Sequence, residues 1–109
     1  MIDLDGTTMY VSGTDAIGVV SEDTRLYFRQ HGERVWARYA GGKVTRGWLI
    51  GRWSSDVLCF RYAQVEDGRV HAGRSECDVQ RLPNGNLRLV EHFAWSTRPG
   101  SGVNVFDEL

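Results

Sequence analysis

Apolar and polar residues alternate with a period of two along most of the chain, and turn signals interrupt this alternation about every ten residues. The stretch LRLVEHFAW at 87–95 shows the alternation clearly. A period of two is the signature of a β-strand, whose successive side chains point to opposite faces. Stretches such as PNGN at 83–86 and RPGSG at 98–102 are typical of the tight connections between strands.

The pattern predicts eight strands, and no segment carries a helical stripe. The strands are expected at about 6–12, 19–30, 34–41, 43–53, 57–65, 69–81, 86–96 and 102–108. SGTDAIG at 12–18 is the expected turn between the first two. Because every connection is short, sequential strands should pair antiparallel as a meander. Closure removes exposed strand edges. We therefore predict an all-β fold, an eight-stranded antiparallel up-and-down barrel, in a single domain spanning 1–109.

The alternation also assigns an inward face to six of the strands, the second to the seventh. The eighth stays ambiguous, because Asn104 and Phe106 compete with Val103 and Val105 for the interior. The residues expected inside the barrel are Leu26, Phe28, Val35, Ala37, Tyr39, Gly47, Leu49, Gly51, Leu58, Phe60, Tyr62, Gln64, Gly73, Ser75, Cys77, Val79, Leu89, Glu91, Phe93 and Trp95. Glycines inside leave space, and an eight-stranded barrel has room for about one small ligand.

Glu91 is the most informative inward residue, because it lies in the middle of the more apolar face of its strand. A buried carboxylate is costly unless it is paired or protonated, and the expected interior offers it no Arg or Lys. Burial without a cation raises a carboxyl pKa. Glu91 is therefore either a structural residue held by tyrosine hydroxyls or a buried water, or a ligand anchor or general acid/base.

The leading functional hypothesis is small-molecule binding in a polar and aromatic internal cavity, because convergent polar groups in an apolar cavity are the usual mark of a ligand site. The expected ligand-binding residues are Tyr39, Phe60, Tyr62, Gln64, Ser75, Glu91, Phe93 and Trp95. A cavity too small for more than one or two waters would contradict this hypothesis. The alternatives are a structural or oligomerisation module without a ligand, and a barrel enzyme that uses Glu91 as general acid/base. No catalytic motif supports a particular reaction, so no catalytic residue is assigned.

Three large apolar residues fall on the outer face of the third and fourth strands, namely Trp36, Trp48 and Ile50. Large exposed apolar patches mark interfaces. We therefore expect these residues to form the interface of a homo-oligomer, most simply a symmetric dimer.

Charge and chemistry narrow the classes of partner. The 13 basic and 14 acidic residues are spread along the chain without a basic run, which argues against a nucleic-acid or membrane partner. His31, His71 and His92 follow no metal-ligand spacing, and no cofactor motif is present. The two cysteines are expected on opposite faces, and neither a leader segment nor an apolar span is visible, so a reducing, cytoplasmic location is expected.

Four short motifs resemble one family. They are Val-x-Ala-x-Tyr-x-Gly-Gly at 35–42, Gly-x-Leu-x-Gly at 47–51, Leu-x-Phe-x-Tyr-x-Gln at 58–64 and Leu-Arg-Leu-x-Glu at 87–91. Together they resemble a group of small uncharacterised bacterial proteins with an avidin-like β-barrel, over about residues 20–109. The resemblance implies a calycin-like barrel, in which Tyr39 sits where avidin-type barrels have a ligand-contacting tyrosine.

The resemblance to avidin itself is one of architecture. The first strand, GTTMYVSG, lacks the asparagine expected for biotin, so biotin is not the expected ligand. Some members of the similar group carry an N-acetylglutamate synthase label. An acetyl-CoA-dependent acyltransferase needs a pyrophosphate-binding loop at a helix N-terminus, and this sequence predicts neither.

Overall fold

The computed structural model describes residues 1–15 and 19–109 and forms a closed barrel of eight β-strands. Each strand pairs antiparallel with its neighbours in sequence, and β1 pairs with β8 to close the barrel. The strands are β1 Thr8–Thr14, β2 Arg25–His31, β3 Arg34–Gly41, β4 Val44–Ser54, β5 Val57–Glu66, β6 Arg69–Arg81, β7 Leu87–Trp95 and β8 Ser101–Glu108. The predicted all-β, up-and-down barrel is thus confirmed. The described part of the chain contains no helix that could span a membrane.

The start of the second strand is the main error in the predicted boundaries. It was expected at 19, but β2 begins at Arg25. The preceding residues form a turn instead, because the Thr24 amide donates to the Ser21 carbonyl and the Ser21 amide donates to the Thr24 hydroxyl. That hydroxyl donates in turn to the Gly41 carbonyl at 3.1 Å, which ties the turn to the end of β3. Of the predicted turn at 12–18, residues 12–14 belong to β1 and 16–18 lie outside the described residues.

The inward face follows the predicted alternation. Every residue expected inside is buried, apart from the half-buried Gly51, Val79 and Trp95. On the ambiguous β8, the structure places Asn104 and Phe106 inside. They face inward because antiparallel pairing sets Asn104 opposite Glu91 and Phe106 opposite the inward Leu89, and directly opposite residues share a face.

The two ends of the barrel differ. At the end where β4 finishes, Leu4 and Trp53 are buried, and both donate to the side-chain oxygen of Gln30. The opposite end, where β1, β3, β5 and β7 finish, is called the mouth here. Val19 and Val20 pack against the core near the mouth, and the β7–β8 loop at 96–100 lies at this end of the barrel.

Candidate functional site

A small cavity of about 30 Å³ lies inside the barrel near the mouth. A cavity needs about 10–15 Å³ of such space to hold one water, so this cavity has room for no more than about two waters. A cavity of this size meets the criterion that the sequence hypothesis set against ligand binding in the arrangement that the structure shows, so a guest larger than water requires side chains to move. The lining residues are Val19, Val20, Leu26, Tyr39, Leu49, Phe60, Tyr62, Gln64, Glu91, Phe93, Trp95 and Phe106.

The structure brings the predicted ligand-binding residues together. Seven of the eight line this cavity, and Ser75 is buried beside it and hydrogen-bonded to Glu91. Their role in contacting a ligand stays a prediction. Trp36, Trp48 and Ile50 lie on the outer surface as expected, with 41%, 52% and 69% of their surface exposed. Their role as a homo-oligomer interface also stays a prediction.

Glu91 is only 5% exposed and accepts two hydrogen bonds. The Ser75 hydroxyl donates to Oε2 at 2.6 Å, and Asn104 Nδ2 donates to Oε1 at 2.9 Å. Of the alternatives, tyrosine hydroxyls are not the donors to Glu91 within the described residues, because Ser75 and Asn104 on the two neighbouring strands supply its hydrogen bonds. The Thr14 hydroxyl completes the group by donating to Asn104 Oδ1 at 2.6 Å.

Burial raises the pKa of Glu91, and the hydrogen bonds from Ser75 and Asn104 offset only part of that rise. Among the described residues, no Arg or Lys makes an ion pair with Glu91. The carboxyl group is thus biased toward its neutral form, as burial without a cation requires.

A second polar chain leads from the cavity to the mouth. The Tyr39 hydroxyl donates to Gln64 Oε1 at 2.7 Å, and Gln64 Nε2 donates to Glu66 Oε2 at 2.9 Å. Arg98 in the β7–β8 loop binds both oxygens of Glu66. Burial of Glu66 favours a higher pKa, but the hydrogen bonds from Arg98 and Gln64 outweigh it and lower that pKa. The guanidinium of Arg98 also lies 3.8 Å from the ring centre of Trp95, so this ion pair packs against a residue that lines the cavity.

Two buried donors in the same region have no hydrogen-bond partner within residues 1–15 and 19–109. They are the hydroxyl of Tyr62 and the indole N–H of Trp95, whose ring centres are 5.3 Å apart. Burial raises the pKa of Tyr62, and the nearby Glu91 raises it further, so its proton is retained. A buried polar group without a partner is costly. A ligand or water molecule that accepts hydrogen bonds would therefore be stabilised next to these two donors.

Two glycines make room for the lumen tyrosines. A Cβ atom at Gly47 would overlap the ring of Tyr39, and one at Gly73 would overlap the hydroxyl of Tyr62. The two rings therefore pack directly over backbone that only glycine leaves uncovered. The sequence prediction that inward glycines create space is explained by these contacts, although the tyrosines fill most of that space.

Sequence reasoning missed four residues of the site. Asn104 was one of two open choices, and Thr14 follows from it through their hydrogen bond. Glu66 and Arg98 lie at the end of a strand and in a loop, 32 residues apart. The alternation of apolar and polar residues gives no information on such positions, so it could not predict that Glu66 and Arg98 pair at the mouth.

A closed antiparallel barrel with a polar and aromatic lumen defines a class of small β-barrels whose interior is wide enough to hold side chains or one small ligand. Within that class, the model of the family described as avidin-like protein matches residues 2–109, and the chain belongs to this family. The resemblance expected from the sequence motifs is thereby confirmed. Searches of curated proteins and of solved structures found no match.

Proposed function

We propose that the protein binds a small, uncharged molecule with a hydrogen-bond acceptor, held in the lumen just inside the mouth. The observation that carries this proposal is a pair of donors beside one cavity, Tyr62 O–H and Trp95 N–H, that have no hydrogen-bond partner among the residues that the structure describes. A carbonyl or ether oxygen would accept from both. The avidin-like barrel is compatible with binding of this kind.

The charge of the surroundings favours an uncharged guest. An ammonium group offers only donors and would leave Tyr62 and Trp95 unsatisfied. An anion would approach Glu91, and Arg98 at the mouth is already engaged by Glu66. A neutral acceptor avoids both conflicts, and the edges of Phe60 and the other aromatic rings supply apolar contact.

A guest larger than water requires the mouth to open. Trp95 is half-buried and the Arg98 side chain is 27% exposed, so both have solvent on one side. We infer that the side chains of Arg98, Glu66 and Trp95 together cover the cavity. This cover moves outward when a guest enters. The approximately 30 Å³ cavity then corresponds to the closed arrangement.

Cyclopentanone is a suitable probe because it carries one acceptor and no donor, and cyclopentane is its matched control without the acceptor. In a ¹H–¹⁵N spectrum, cyclopentanone should shift the indole signal of Trp95, which Trp95→Phe assigns by deleting it. Tyr62→Phe should weaken binding about three- to tenfold, the worth of one hydrogen bond. Tyr10→Phe, on the outer face of β1, is the matched control and should bind normally.

The proposal fails if cyclopentanone leaves the Trp95 signal unmoved up to its solubility limit. It also fails if Tyr62→Phe and Tyr10→Phe bind equally well, or if cyclopentane binds as tightly as cyclopentanone. A direct search by native mass spectrometry of the purified protein would then look for a retained guest, whose mass would name a chemical class.

The free thiols support a reducing location, which we propose to be the cytoplasm. Cys77 is fully buried in the lumen and Cys59 is half-buried on the outside, and both are free. Their positions on opposite faces prevent a bridge between them without rearrangement of the wall. Thiol counting on protein taken directly from its source should give two; a mixed disulfide at Cys59 would contradict the proposal.

A further inference from the structure

The outer surface of β2 to β5 combines exposed rings with exposed arginines. Its apolar members are Tyr27, Trp36, Trp48 and Ile50, all at least 39% exposed. Its arginines are Arg29, Arg34, Arg38, Arg46, Arg52 and Arg61, all exposed. We call this surface the aromatic–arginine face. An open cleft of about 590 Å³ lies on this face, and Trp36 and Trp48 are among the residues that line it.

The register of the strands interleaves the two kinds of side chain. One row across the sheet reads Tyr27, Arg38 and Trp48, because these residues are directly paired. The next row reads Arg29, Trp36, Ile50 and Arg61. Each ring therefore has a guanidinium beside it, and Arg38 already stacks over Tyr27 at 4.5 Å from the ring centre.

The positive charge of this face is largely unneutralised. Strands β2, β3 and β4 contain no Asp or Glu, and the one acid of β5, Glu66, pairs with Arg98 at the mouth. Of the six arginines, Arg29 alone forms an ion pair within the part of the chain that the structure describes, with the exposed Asp5. The face thus presents five guanidinium groups that form no ion pair with any described residue.

A second copy of the chain is a poor occupant of this face. A symmetric dimer places the same patch on both sides, so arginines would meet arginines with Asp5 as the one paired carboxylate. Like charges brought together across an interface oppose association. A partner that carries regularly spaced negative charge and flat apolar groups matches the face better.

We propose that the aromatic–arginine face binds single-stranded nucleic acid. Arginines would contact the phosphates, and bases would stack on Trp36 and Trp48, as on other stacking platforms of this kind. Unpaired bases are required because a duplex hides its base faces in the stack. The dispersed charges of the sequence predicted no nucleic-acid partner. The proposal departs from that expectation, because pairing of four strands gathers arginines that lie up to 32 positions apart in sequence, from Arg29 to Arg61.

The test titrates the full chain with an oligothymidylate of about 12 nucleotides at low salt, within the size range that single modules occupy. Stacking should quench the fluorescence of the exposed Trp36 and Trp48. Trp36→Ala and Trp48→Ala should each weaken binding about fivefold or more. Arg38→Glu with Arg61→Glu should lower the slope of log affinity against log salt by about 1.4, which is about 0.7 for each lost phosphate contact.

The matched control is the double variant Arg69→Glu with Arg81→Glu, which makes the same charge change at the two exposed ends of β6. It should bind like the unmodified protein, and circular dichroism should show that every variant is folded. The proposal is overturned by absence of saturable binding, by equal affinity for duplex, or by an equal loss in the control. It is also overturned if sedimentation at micromolar concentration shows a dimer that Trp36→Ala dissociates, or if anionic vesicles bind and the oligonucleotide does not.

Discussion

Replacement of Glu91 by Gln should stabilise the protein at neutral and alkaline pH and leave it nearly unchanged in acid. Glutamine has the same shape, and its oxygen still accepts from Asn104 Nδ2. Its amide can donate to Ser75 Oγ, because a hydroxyl accepts as well as donates. Glu91→Gln therefore reproduces the hydrogen bonds of the protonated carboxyl group and removes its titration.

The direction of this pH dependence follows from the linkage between protonation of Glu91 and folding. Burial raises the folded-state pKa of Glu91 above its ordinary value of 4.5. Between these two pKa values the folded state holds a proton that the unfolded state has released, so the free energy of unfolding falls as pH rises. The contribution of Glu91 is most favourable below about pH 4.5 and is lost progressively above it. The stability difference between Glu91→Gln and the unmodified protein should grow by about 1.4 kcal/mol for each pH unit in this interval and then level off.

Urea unfolding at a series of pH values from about 4 to 9 measures this difference. Subtraction of the two curves cancels the titration of all other groups, provided the variant leaves them in place. Glu76→Gln is the matched control, because Glu76 is exposed on the outer face of the adjacent strand β6. Its difference should stay within about 0.5 kcal/mol at every pH. The expected pH dependence would be refuted if the stability difference between Glu91→Gln and the unmodified protein did not change with pH, or if the variant lost stability relative to the unmodified protein as pH rises.

Three further substitutions test separate parts of the structure by urea unfolding. Gly47→Ala should cost about 1–3 kcal/mol, because the added methyl overlaps a buried tyrosine ring, whereas Gly13→Ala should be tolerated because its Cβ meets Val105 at an ordinary 3.6 Å. Tyr62→Phe should leave stability unchanged or raise it by up to about 1 kcal/mol, since its hydroxyl has no hydrogen-bond partner in the described part of the chain; a clear loss would reveal a satisfied hydroxyl. Asp107→Asn should cost about 1 kcal/mol at pH 7, allowing for screening of the partly exposed Arg88. Arg88 lowers the pKa of Asp107, so this cost should disappear as pH falls below about 4; a cost that persists in acid would contradict the pairing.

The inward and outward faces of the strands were predictable because the same alternation of apolar and polar residues repeats on many strands. In β3, for example, Val35, Ala37 and Tyr39 alternate with polar or exposed residues, and the same period continues on every neighbour. A slip of one residue would expose all of the apolar side chains of a strand. The alternation therefore fixes the inside of the barrel, including the position of Glu91, without knowledge of any contact.

Contacts between side chains were less predictable because they depend on register and on loops. Glu91 was expected to meet tyrosines, yet it meets Ser75 and Asn104, because they lie on the strands that flank β7 on either side. The mouth pair of Glu66 and Arg98 depends on the path of the 96–100 loop. A period of two carries no information on how such a loop folds back, so this part of the site required the structure.

The barrel wall is a single β-sheet, so the proposed lumen site and the proposed outer-surface site lie on opposite faces of the same strands. Strand β3 supplies Tyr39 to the lumen and its neighbour Arg38 to the outer face, so adjacent residues serve opposite sides. Substitutions that keep the backbone in place should act on one side alone, and their effects on stability should add when the sites share no partner. Tyr62→Phe should then change binding of cyclopentanone but not of oligothymidylate, and Trp48→Ala should do the reverse. If either substitution changes the binding of both probes, the wall transmits strain between lumen and surface, and the two sites are energetically coupled.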